Sequence, residues 1–397
     1  MYIVDNKIYI IAGEKSGDKL GSDLMFNLNL INSDFVFCGV GGPLMQAEGL
    51  VSIFPMEELS LMGIFEILPK LPRLFHLRDT VVKNIISSEV SCLITIDSPE
   101  FSFSVSRKVK KYVPNLKIIH YVAPSLWAWR PKRGYKIAKF IDHILALFPF
   151  EPKIMQEFGI SCDFVGHPIS SMPTYNENEL SIIRNKLNIE DDELLLVVLP
   201  GSRVSEIKRL LPIFLKSLEI LNTKITNIKI ILPAIGSTVQ LIEKYLEASL
   251  VDIEVFSEND LTAEEFETLK FELFCVADFA LAASGTVTLE LAAAKTPMIV
   301  SYDVNFFSRI ILKFLLKIDS ISLVNIILNR KLVPEFLGKE CKPKLIAGAL
   351  INLIEDDNLA SNQKSGLLEV IKILGGGTTH VSNRAAHSIN KFLKINL

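Results

Sequence analysis

The sequence lacks the cysteine and histidine patterns that mark disulfide-rich and zinc-binding proteins. Its five cysteines are odd in number, widely scattered and free of any C-x-x-C pair, and its six histidines show no ligand spacing. A disulfide framework needs paired cysteines, and a zinc site needs closely spaced ligands. We therefore expect neither, and we interpret the cysteines as buried thiols.

Long apolar runs are also missing, although the mean hydropathy of +0.34 is high. No run reaches the roughly 18 apolar residues that a membrane-spanning helix needs. The first residues lack the basic region, apolar stretch and small-residue cleavage site of a signal peptide. We expect a chain that does not cross a membrane and stays in the cytoplasm.

Three nucleotide-site and metal-site motifs are absent. There is no G-x-G-x-x-G dinucleotide fingerprint and no P-loop ending in Gly-Lys-Ser/Thr. No D-x-D stands at the end of a predicted strand, and the acidic cluster at 190–193 precedes a strand. These absences disfavour a metal-dependent transferase, so we expect no metal and no cofactor.

Charge is distributed unevenly although the net charge is only −3. Residues 60–139 contain 14 Lys and Arg against 5 Asp and Glu, and the rest of the chain contains 28 against 40. A basic region in a near-neutral protein fits a phospholipid surface or a phosphorylated substrate better than nucleic acid. A solvated charged face is the simpler alternative.

The order of elements indicates an α/β protein of two domains. At 397 residues the chain suits two domains of roughly 150–200 residues, and short β-branched runs alternate with helix-length segments, as in parallel sheets covered by helices. The predicted strands of the first sheet are 7–12, 35–40, 91–97, 117–122, 143–147 and 162–166. Those of the second are 194–199, 228–233, 253–256, 279–282 and 298–301.

These runs predict two Rossmann-like domains, residues 1–167 and 168–378, facing across a cleft. A last helix, 379–397, could return to the first domain. Ligands of open parallel sheets bind beyond the carboxyl ends of the strands. Functional residues are therefore expected at strand ends.

Two motifs of the first half follow predicted strands. A glycine-rich turn at 13–21 leads into a helix, whose start suits an anion. Asp97, just past the third strand, is the first candidate for a base that activates a sugar hydroxyl, and Glu100 is the second. A capped turn and a helix N-cap are the structural alternatives.

Both tryptophans of the chain, Trp127 and Trp129, stand beside Lys132 and Arg133. Such rings beside cations suit a sugar-binding wall or a lipid interface, and they also pack ordinary cores.

Two motifs of the second half suit a nucleotide diphosphate. Arg203 follows a strand on a glycine-containing turn at a helix start, where forked donors and backbone N–H groups can hold phosphates. The segment 284–290 repeats this pattern, with Glu290 about one turn into the helix. A carboxylate there could accept hydrogen bonds from a ribose.

An apolar stretch between Leu59 and Leu77 is interrupted by Pro69 and Pro72 and bordered by cations. This pattern favours insertion into an anionic membrane interface. A buried helical hairpin is the alternative. The predicted membrane-facing residues are Met62, Ile64, Phe65, Ile67, Leu68 and Leu71.

In their order and spacing, these motifs resemble those of lipid-A-disaccharide synthases, which are inverting glycosyltransferases of the GT-B fold. The resemblance covers nearly the whole chain, and its main motifs are the 12–18 start, the 39–43 turn, 62–63, 96–101, 120–130, 166–168, 199–203, 284–290 and 322–325.

The resemblance implies transfer of 2,3-diacylglucosamine from its UDP derivative to the 6-hydroxyl of 2,3-diacylglucosamine 1-phosphate, without a metal, at the inner face of a Gram-negative inner membrane. It implies that Asp97 deprotonates or positions the acceptor hydroxyl, and that Glu14, Ser16 and Asp18 line the acceptor side. The residues implied to bind UDP are Ser202, Arg203, Ser284, Gly285, Thr286, Glu290, Asn325 and Glu335.

Two other interpretations stay open at this stage. The first is another GT-B enzyme, such as an undecaprenyl-linked sugar transferase or a UDP-sugar epimerase, although an epimerase has no need of the apolar basic region. The second is a non-catalytic, membrane-associated binding protein. The oligomeric state is also open, with a homodimer as one option.

Overall fold

The chain folds into two compact units. The first comprises Met1–Pro168 and Gly377–Leu397, and the second comprises Ile169–Gly376. The computed structural model describes residues 6–59, 64–127, 131–190, 192–236, 238–258, 261–303, 320–375 and 380–395, without the side chains of 64–70, 131 and 395. The predicted boundary between residues 167 and 168 lies one residue from this division.

The first unit contains a parallel sheet with the strand order β3-β2-β1-β4-β5-β6-β7. Its strands are β1 (Lys7–Ala12), β2 (Val36–Val40), β3 (Val51–Ser52), β4 (Cys92–Ile96), β5 (Lys117–Tyr121), β6 (His143–Ala146) and β7 (Ser161–Phe164). Its helices are α1 (Lys15–Ile31), α2 (Pro43–Ala47), α3 (Ile64–Ser87), α4 (Pro99–Tyr112), α5 (Gly134–Ile137) and α6 (Glu151–Glu157).

The second unit contains a parallel sheet with the strand order β10-β9-β8-β11-β12-β13. Its strands are β8 (Leu194–Leu199), β9 (Ile228–Ala234), β10 (Glu254–Ser257), β11 (Phe279–Ala283), β12 (Met298–Tyr302) and β13 (Glu335–Leu337). Its helices are α7 (Glu177–Lys186), α8 (Val204–Asn222), α9 (Thr238–Leu246), α10 (Ala263–Val276), α11 (Val287–Ala294), α12 (Leu323–Leu328), α13 (Pro343–Glu355) and α14 (Asp357–Ile373).

The central strands are buried on both faces, which explains their continuous apolar sequences. In β1, Tyr9 and Ile11 point into one core of the first unit, while Ile8 and Ile10 point into the other. This alternation follows from the two-residue period of a strand. The same strand therefore joins the two helical layers that cover the sheet.

The last helix, α15 (Val381–Ile395), belongs to the first unit. It packs against α1, and Ala385, Ala386 and Ile389 are fully buried in the core that also contains Leu24 and Leu28. The small alanine side chains allow the two helices to approach closely. The C-terminal helix therefore returns to the first unit, the arrangement that the sequence left open.

Most predicted strands lie within two residues of the observed ones. The sequence missed β3 and β13, which are two and three residues long. The expected interruption at Pro69 and Pro72 was wrong, because α3 continues through both prolines, and the described part of this segment is one helix rather than a hairpin. No described helix is both long and apolar enough to cross a membrane.

Candidate functional site

The predicted site residues lie where the strand order reverses. In the first sheet this reversal lies between β1 and β4, and in the second between β8 and β11. The reversal point of a doubly wound sheet leaves a crevice beyond the carboxyl ends of its two central strands. Glu14 and Asp97 follow the first pair of strands, and Arg203 and Ser284 follow the second. Each unit thus places predicted site residues at its own crevice.

The chain makes a strained turn at Asp97. Asp97 and Ser98 both have left-handed backbones, with φ of 51° and 43°, a conformation that costs non-glycine residues on the order of 1–3 kcal/mol each. The turn is fixed because the Asp97 N–H donates to the Tyr121 carbonyl at 3.0 Å and the Ser102 hydroxyl donates to the Asp97 carbonyl at 2.8 Å. This local strain projects the carboxylate from the strand end.

The carboxyl groups of Asp97 and Glu14 interact electrostatically. Burial raises the pKa of Asp97, against a hydrogen bond from the Ser98 backbone. Burial, followed by the negative charge of Asp97, also raises the pKa of Glu14. Both groups hold protons more tightly than exposed carboxylates do. A carboxylate with a raised pKa is a stronger base, which suits Asp97 to accept a proton from a sugar hydroxyl.

The carboxylate of Asp18, which the resemblance places on the acceptor side, binds the protein's own backbone. Asp18 is only 3% exposed. Its carboxylate accepts hydrogen bonds from the backbone N–H groups of Gly42 at 2.9 Å, Leu44 at 3.0 Å and Met45 at 3.1 Å. Asp18 therefore caps α2 and fixes the second glycine-rich turn. Ser16, two residues earlier, is exposed on the first turn of α1.

The second base candidate, Glu100, is less suited to the role than Asp97. Its side chain is 83% exposed and forms an ion pair with Arg133 at 2.7 Å. Glu100 is thus an exposed side chain held by a cation, whereas burial raises the pKa of Asp97 and makes it a stronger base.

Trp127 packs inside the first unit. Its ring lies edge-on to Phe150 with centroids 5.3 Å apart, and its indole N–H donates to Glu151 Oε1 at 3.3 Å. Glu151 is only 2% exposed, and burial raises its pKa to about 7 despite hydrogen bonds from Phe148, Trp127 and Leu147. Sequence reasoning missed Glu151. Trp129 lies outside the described residues.

Arg203 stands at the start of α8 on a turn that requires glycine. Gly201 has φ of +113°, and a Cβ there would lie 2.6 Å from Glu206 Oε2. That oxygen accepts from the backbone N–H groups of Ser202 at 3.2 Å and Arg203 at 3.3 Å. The Arg203 side chain is 70% exposed, with one nitrogen 3.2 Å from Glu206. Its guanidinium is therefore held at the helix start yet accessible to a ligand.

The turn between β11 and α11 carries small residues. Ser284 donates its hydroxyl to the Ile321 carbonyl at 2.8 Å, while Gly285 and Thr286 are exposed. A Cβ built on Gly285 would meet no described atom within 4 Å. The folded chain therefore does not need glycine at this position, whereas a ligand that approaches the backbone closely would.

Glu290, in the first turn of α11, contacts a lysine that sequence reasoning did not identify. Lys270 Nζ of α10 lies 3.2 Å from Glu290 Oε2. The two residues are 20 positions apart on different helices, so no local spacing in the sequence indicates the pair. This contact anchors the carboxylate predicted to bind ribose.

Asn325, which the resemblance implies to bind UDP, is only 3% exposed. Its carboxamide donates to the Val333 carbonyl at 2.8 Å and to Glu335 Oε1 at 3.0 Å, and it accepts from the Val333 and Leu332 N–H groups at 2.9 Å. The described hydrogen bonds of its carboxamide are thus all made within the protein. Asn325 holds the segment that leads into β13.

Glu335, the first residue of β13, binds the segment that adjoins Ser284. Its carboxylate accepts hydrogen bonds from the Ser320 hydroxyl, from the Ser322 N–H at 2.8 Å and from the Ile321 N–H at 3.3 Å. Because the Ser284 hydroxyl donates to Ile321, Glu335 shapes the turn before α11 indirectly. Its observed contacts are with the protein itself.

Most of the predicted membrane-facing side chains are not among those that the structure describes. Met62 and the side chains of Ile64, Phe65, Ile67 and Leu68 lie outside the described residues, and Leu71 is half-buried. Further along α3, Phe75 is 52% exposed, with the Arg78 guanidinium 5.0 Å from its ring centroid.

In the described ranges, no group of three or more His, Cys, Asp or Glu residues could hold a metal ion.

Several solved structures share the fold of this chain. A UDP co-structure of Staphylococcus aureus MnaA superposes with a TM-score of 0.64 at 15% identity, covering 98% of this chain and 97% of that one. A glycosyltransferase from Rickettsia africae gives 0.60 at 12% identity, covering 98% and 99%. At such identities the likeness shows the fold alone, and the two parallel-sheet domains define the GT-B class.

Sequence relatives identify the family within that class. The lipid-A-disaccharide synthetase family model matches residues 8–389. A lipid-A-disaccharide synthase of Rhodospirillum centenum is 38% identical over 384 residues, covering 96% of this chain and 93% of the relative. That of Ruegeria pomeroyi is 39% identical over 386 residues, covering 96% and 94%. The chain belongs to the lipid-A-disaccharide synthase family, and it is a glycosyltransferase of lipid A biosynthesis.

Proposed function

We propose that the chain transfers 2,3-diacylglucosamine from its UDP derivative to the 6-hydroxyl of 2,3-diacylglucosamine 1-phosphate, with inversion. The products are the β-1,6 lipid A disaccharide 1-phosphate and UDP. The observation that supports this proposal most is the placement of a base candidate, Asp97, and a phosphate-binding candidate, Arg203, each at the strand-order reversal of its own sheet.

In this proposal Asp97 accepts the proton of the acceptor hydroxyl as that oxygen attacks the anomeric carbon. The carbon–oxygen bond to UDP breaks in the same step, so the sugar configuration inverts. Burial of Asp97 supports this role by raising its pKa. Glu14 and the exposed Ser16 bind the acceptor, while Asp18 positions the neighbouring turn.

The second unit binds the donor. Arg203 and the N-terminal ends of α8 and α11 stabilise the negative charge that develops on the departing diphosphate. Gly285 and Thr286 allow the phosphates to approach the backbone, and Glu290 accepts hydrogen bonds from the ribose. We propose that these donors suffice without a metal ion, and activity in the presence of EDTA tests this point.

Both substrates carry acyl chains, so the protein has to meet them at a membrane. We propose peripheral attachment to the inner face of the inner membrane through α3 and the segment before it. The net charge of +9 in residues 60–139, from 14 cations and 5 anions, and the exposed Phe75 beside Arg78 support this location. Co-sedimentation with anionic but not zwitterionic vesicles, lost at high salt, is the expected result.

Acceptor-dependent release of UDP distinguishes the proposed transfer from its alternatives. The purified protein is incubated with the diacylated UDP-sugar, with and without 2,3-diacylglucosamine 1-phosphate. We expect UDP to appear at a substantial rate only when the acceptor is present. Equal release without the acceptor would indicate hydrolysis or an epimerase-type reaction, and no release with either mixture would favour a binding protein.

A further inference from the structure

Lys270 of α10 is a buried cation that the proposed reaction does not yet use. Its side chain is only 14% exposed, and its ammonium lies 3.2 Å from Glu290 and 2.5 Å from Glu267. The ring of Phe274, one turn further along α10, lies 6.0 Å from the same nitrogen. Lys270 thus joins the helix α10 to the first turn of α11.

An ammonium is costly to bury unless carboxylates compensate for the lost hydration. Burial acts to lower the pKa of Lys270, but the charges of Glu290 and Glu267 outweigh it and raise the pKa. Lys270 therefore stays protonated near neutral pH. Its positive charge lies 3.2 Å from Glu290 Oε2 and attracts that carboxylate.

The two carboxylates that contact Lys270 differ in exposure and in position. Glu267 is 56% exposed and lies three residues from Lys270 on the same helix, as in an ordinary surface pair. Glu290 is 25% exposed and lies beyond the carboxyl end of β11, at the strand-order reversal. Only the contact with Glu290 lies at the predicted nucleotide site of the second unit.

We propose that Lys270 is a positioning residue that orients the Glu290 carboxylate toward the ribose hydroxyls of the uridine nucleotide. This inference rests on the proposed function. Lys270 engages Glu290 through Oε2, so one oxygen of the carboxylate is held by the lysine and the other stays available to accept a hydrogen bond from a ribose hydroxyl. Preorganised acceptors bind hydroxyls more tightly than mobile ones do, because less conformational entropy is lost on binding.

The test compares UDP with 2′-deoxy-UDP in calorimetric titrations of the full chain. A hydrogen bond to a charged group contributes roughly tenfold or more in affinity, so the native protein should prefer UDP by about that factor. In Lys270→Met we expect this preference to fall below about threefold. The donor KM should rise while kcat changes less than about twofold, because Lys270 does not contact the reacting bond.

Glu267→Gln is the matched control, since it removes the other carboxylate from the same lysine. We expect it to keep the native preference for UDP, and Lys270→Arg to restore part of the preference lost in Lys270→Met. If Lys270→Met does not fold, as judged by circular dichroism and thermal unfolding, the double variant with Glu267→Gln removes the unpaired exposed charge and carries the same expectation.

The outcomes separate this inference from the proposed function. If the native protein binds no UDP, the proposed function fails. If the native protein prefers UDP and Lys270→Met keeps that full preference, the role of Lys270 is refuted while the proposed function stands. Glu290→Gln is a separate test of the same inference. If Glu290→Gln keeps the native preference for UDP over 2′-deoxy-UDP, another residue recognises the ribose and the inference is refuted.

Discussion

At the scale of single residues, the turn at Asp97 combines backbone strain with a raised carboxyl pKa. Two consecutive left-handed residues are unfavourable, and they persist because hydrogen bonds to Tyr121 and from Ser102 hold the turn. Strain of this kind concentrates at functional sites, where it fixes a reactive group. We therefore regard Asp97 as the residue whose substitution is most informative.

Asp97→Asn should lower kcat by roughly 10²–10⁴-fold, the range typical for loss of a general base. The affinity for UDP should stay nearly unchanged, since Asp97 and Arg203 lie in different units. Arg203→Ala is the complementary variant and should weaken UDP binding by roughly tenfold or more. Steady-state kinetics and calorimetry measure both effects. If Asp97→Asn keeps most of its turnover, Glu14 or Glu100 becomes the base.

Gly285→Ala should leave stability nearly unchanged and weaken UDP binding. A Cβ at this position meets no described atom within 4 Å, so the added methyl group fits the described part of the chain, whereas a ligand bound against this turn would meet it. We expect a thermal midpoint within about 1–2 °C of the native value and a lower affinity for UDP by calorimetry. Native affinity in Gly285→Ala would show that the phosphates do not approach this turn.

Glu151 should be detectable through the fluorescence of Trp127. Its carboxyl accepts the indole N–H at 3.3 Å, and its pKa of about 7 places its ionisation near neutral pH. In a Trp129→Phe background, emission should titrate with a midpoint near pH 7. Adding Glu151→Gln should abolish that transition, and persistence of the transition would assign it to another group.

The residue scale also shows the limit of sequence reasoning. Asp97 and Arg203 could be proposed from the sequence because strand ends are visible there and polar residues follow them. Asp18 and Asn325 came only from the family resemblance, and the structure shows both bonded to backbone groups. Whether a polar side chain faces a ligand or its own chain depends on distant backbone groups, which sequence position does not reveal.

At the scale of elements, α15 is held by small and aliphatic side chains on one face. Ile389→Ala should destabilise the first unit by about 2–5 kcal/mol, because the fully buried side chain leaves a cavity. Lys391→Ala, two residues along on the exposed face, should change stability by less than about 0.5 kcal/mol. Urea unfolding of both variants measures the difference, and equal stabilities would mean that α15 contributes little to the core.

The sequence predicted the buried strands better than it predicted helix α3. Buried parallel strands such as β4 and β8 are continuous apolar runs, so their sequences alone define them. In α3, two prolines predicted an interruption, since each removes a helical hydrogen bond. The helix is nevertheless anchored by Leu77, Val81 and Ile85, which are buried in the core. Tertiary packing of this kind is not visible in a local pattern.

At the scale of the whole molecule, each of the two parallel-sheet units carries predicted site residues at the reversal of its own strand order. Their architecture followed from the alternation of strands and helices along the chain, and the family resemblance followed from motifs between residues 12 and 325. Local patterns could not identify long-range pairs such as Lys270 with Glu290. These pairs depend on how helices pack, which only the folded chain defines.

The most direct test of the account is product analysis after a single incubation. The purified protein is mixed with UDP-2,3-diacylglucosamine, 2,3-diacylglucosamine 1-phosphate, detergent and EDTA, and the lipid product is examined by mass spectrometry and NMR. We predict a disaccharide 1-phosphate with a β-1,6 linkage and an equal amount of UDP. A product with another linkage, or no disaccharide from a folded protein that binds UDP, would contradict the account.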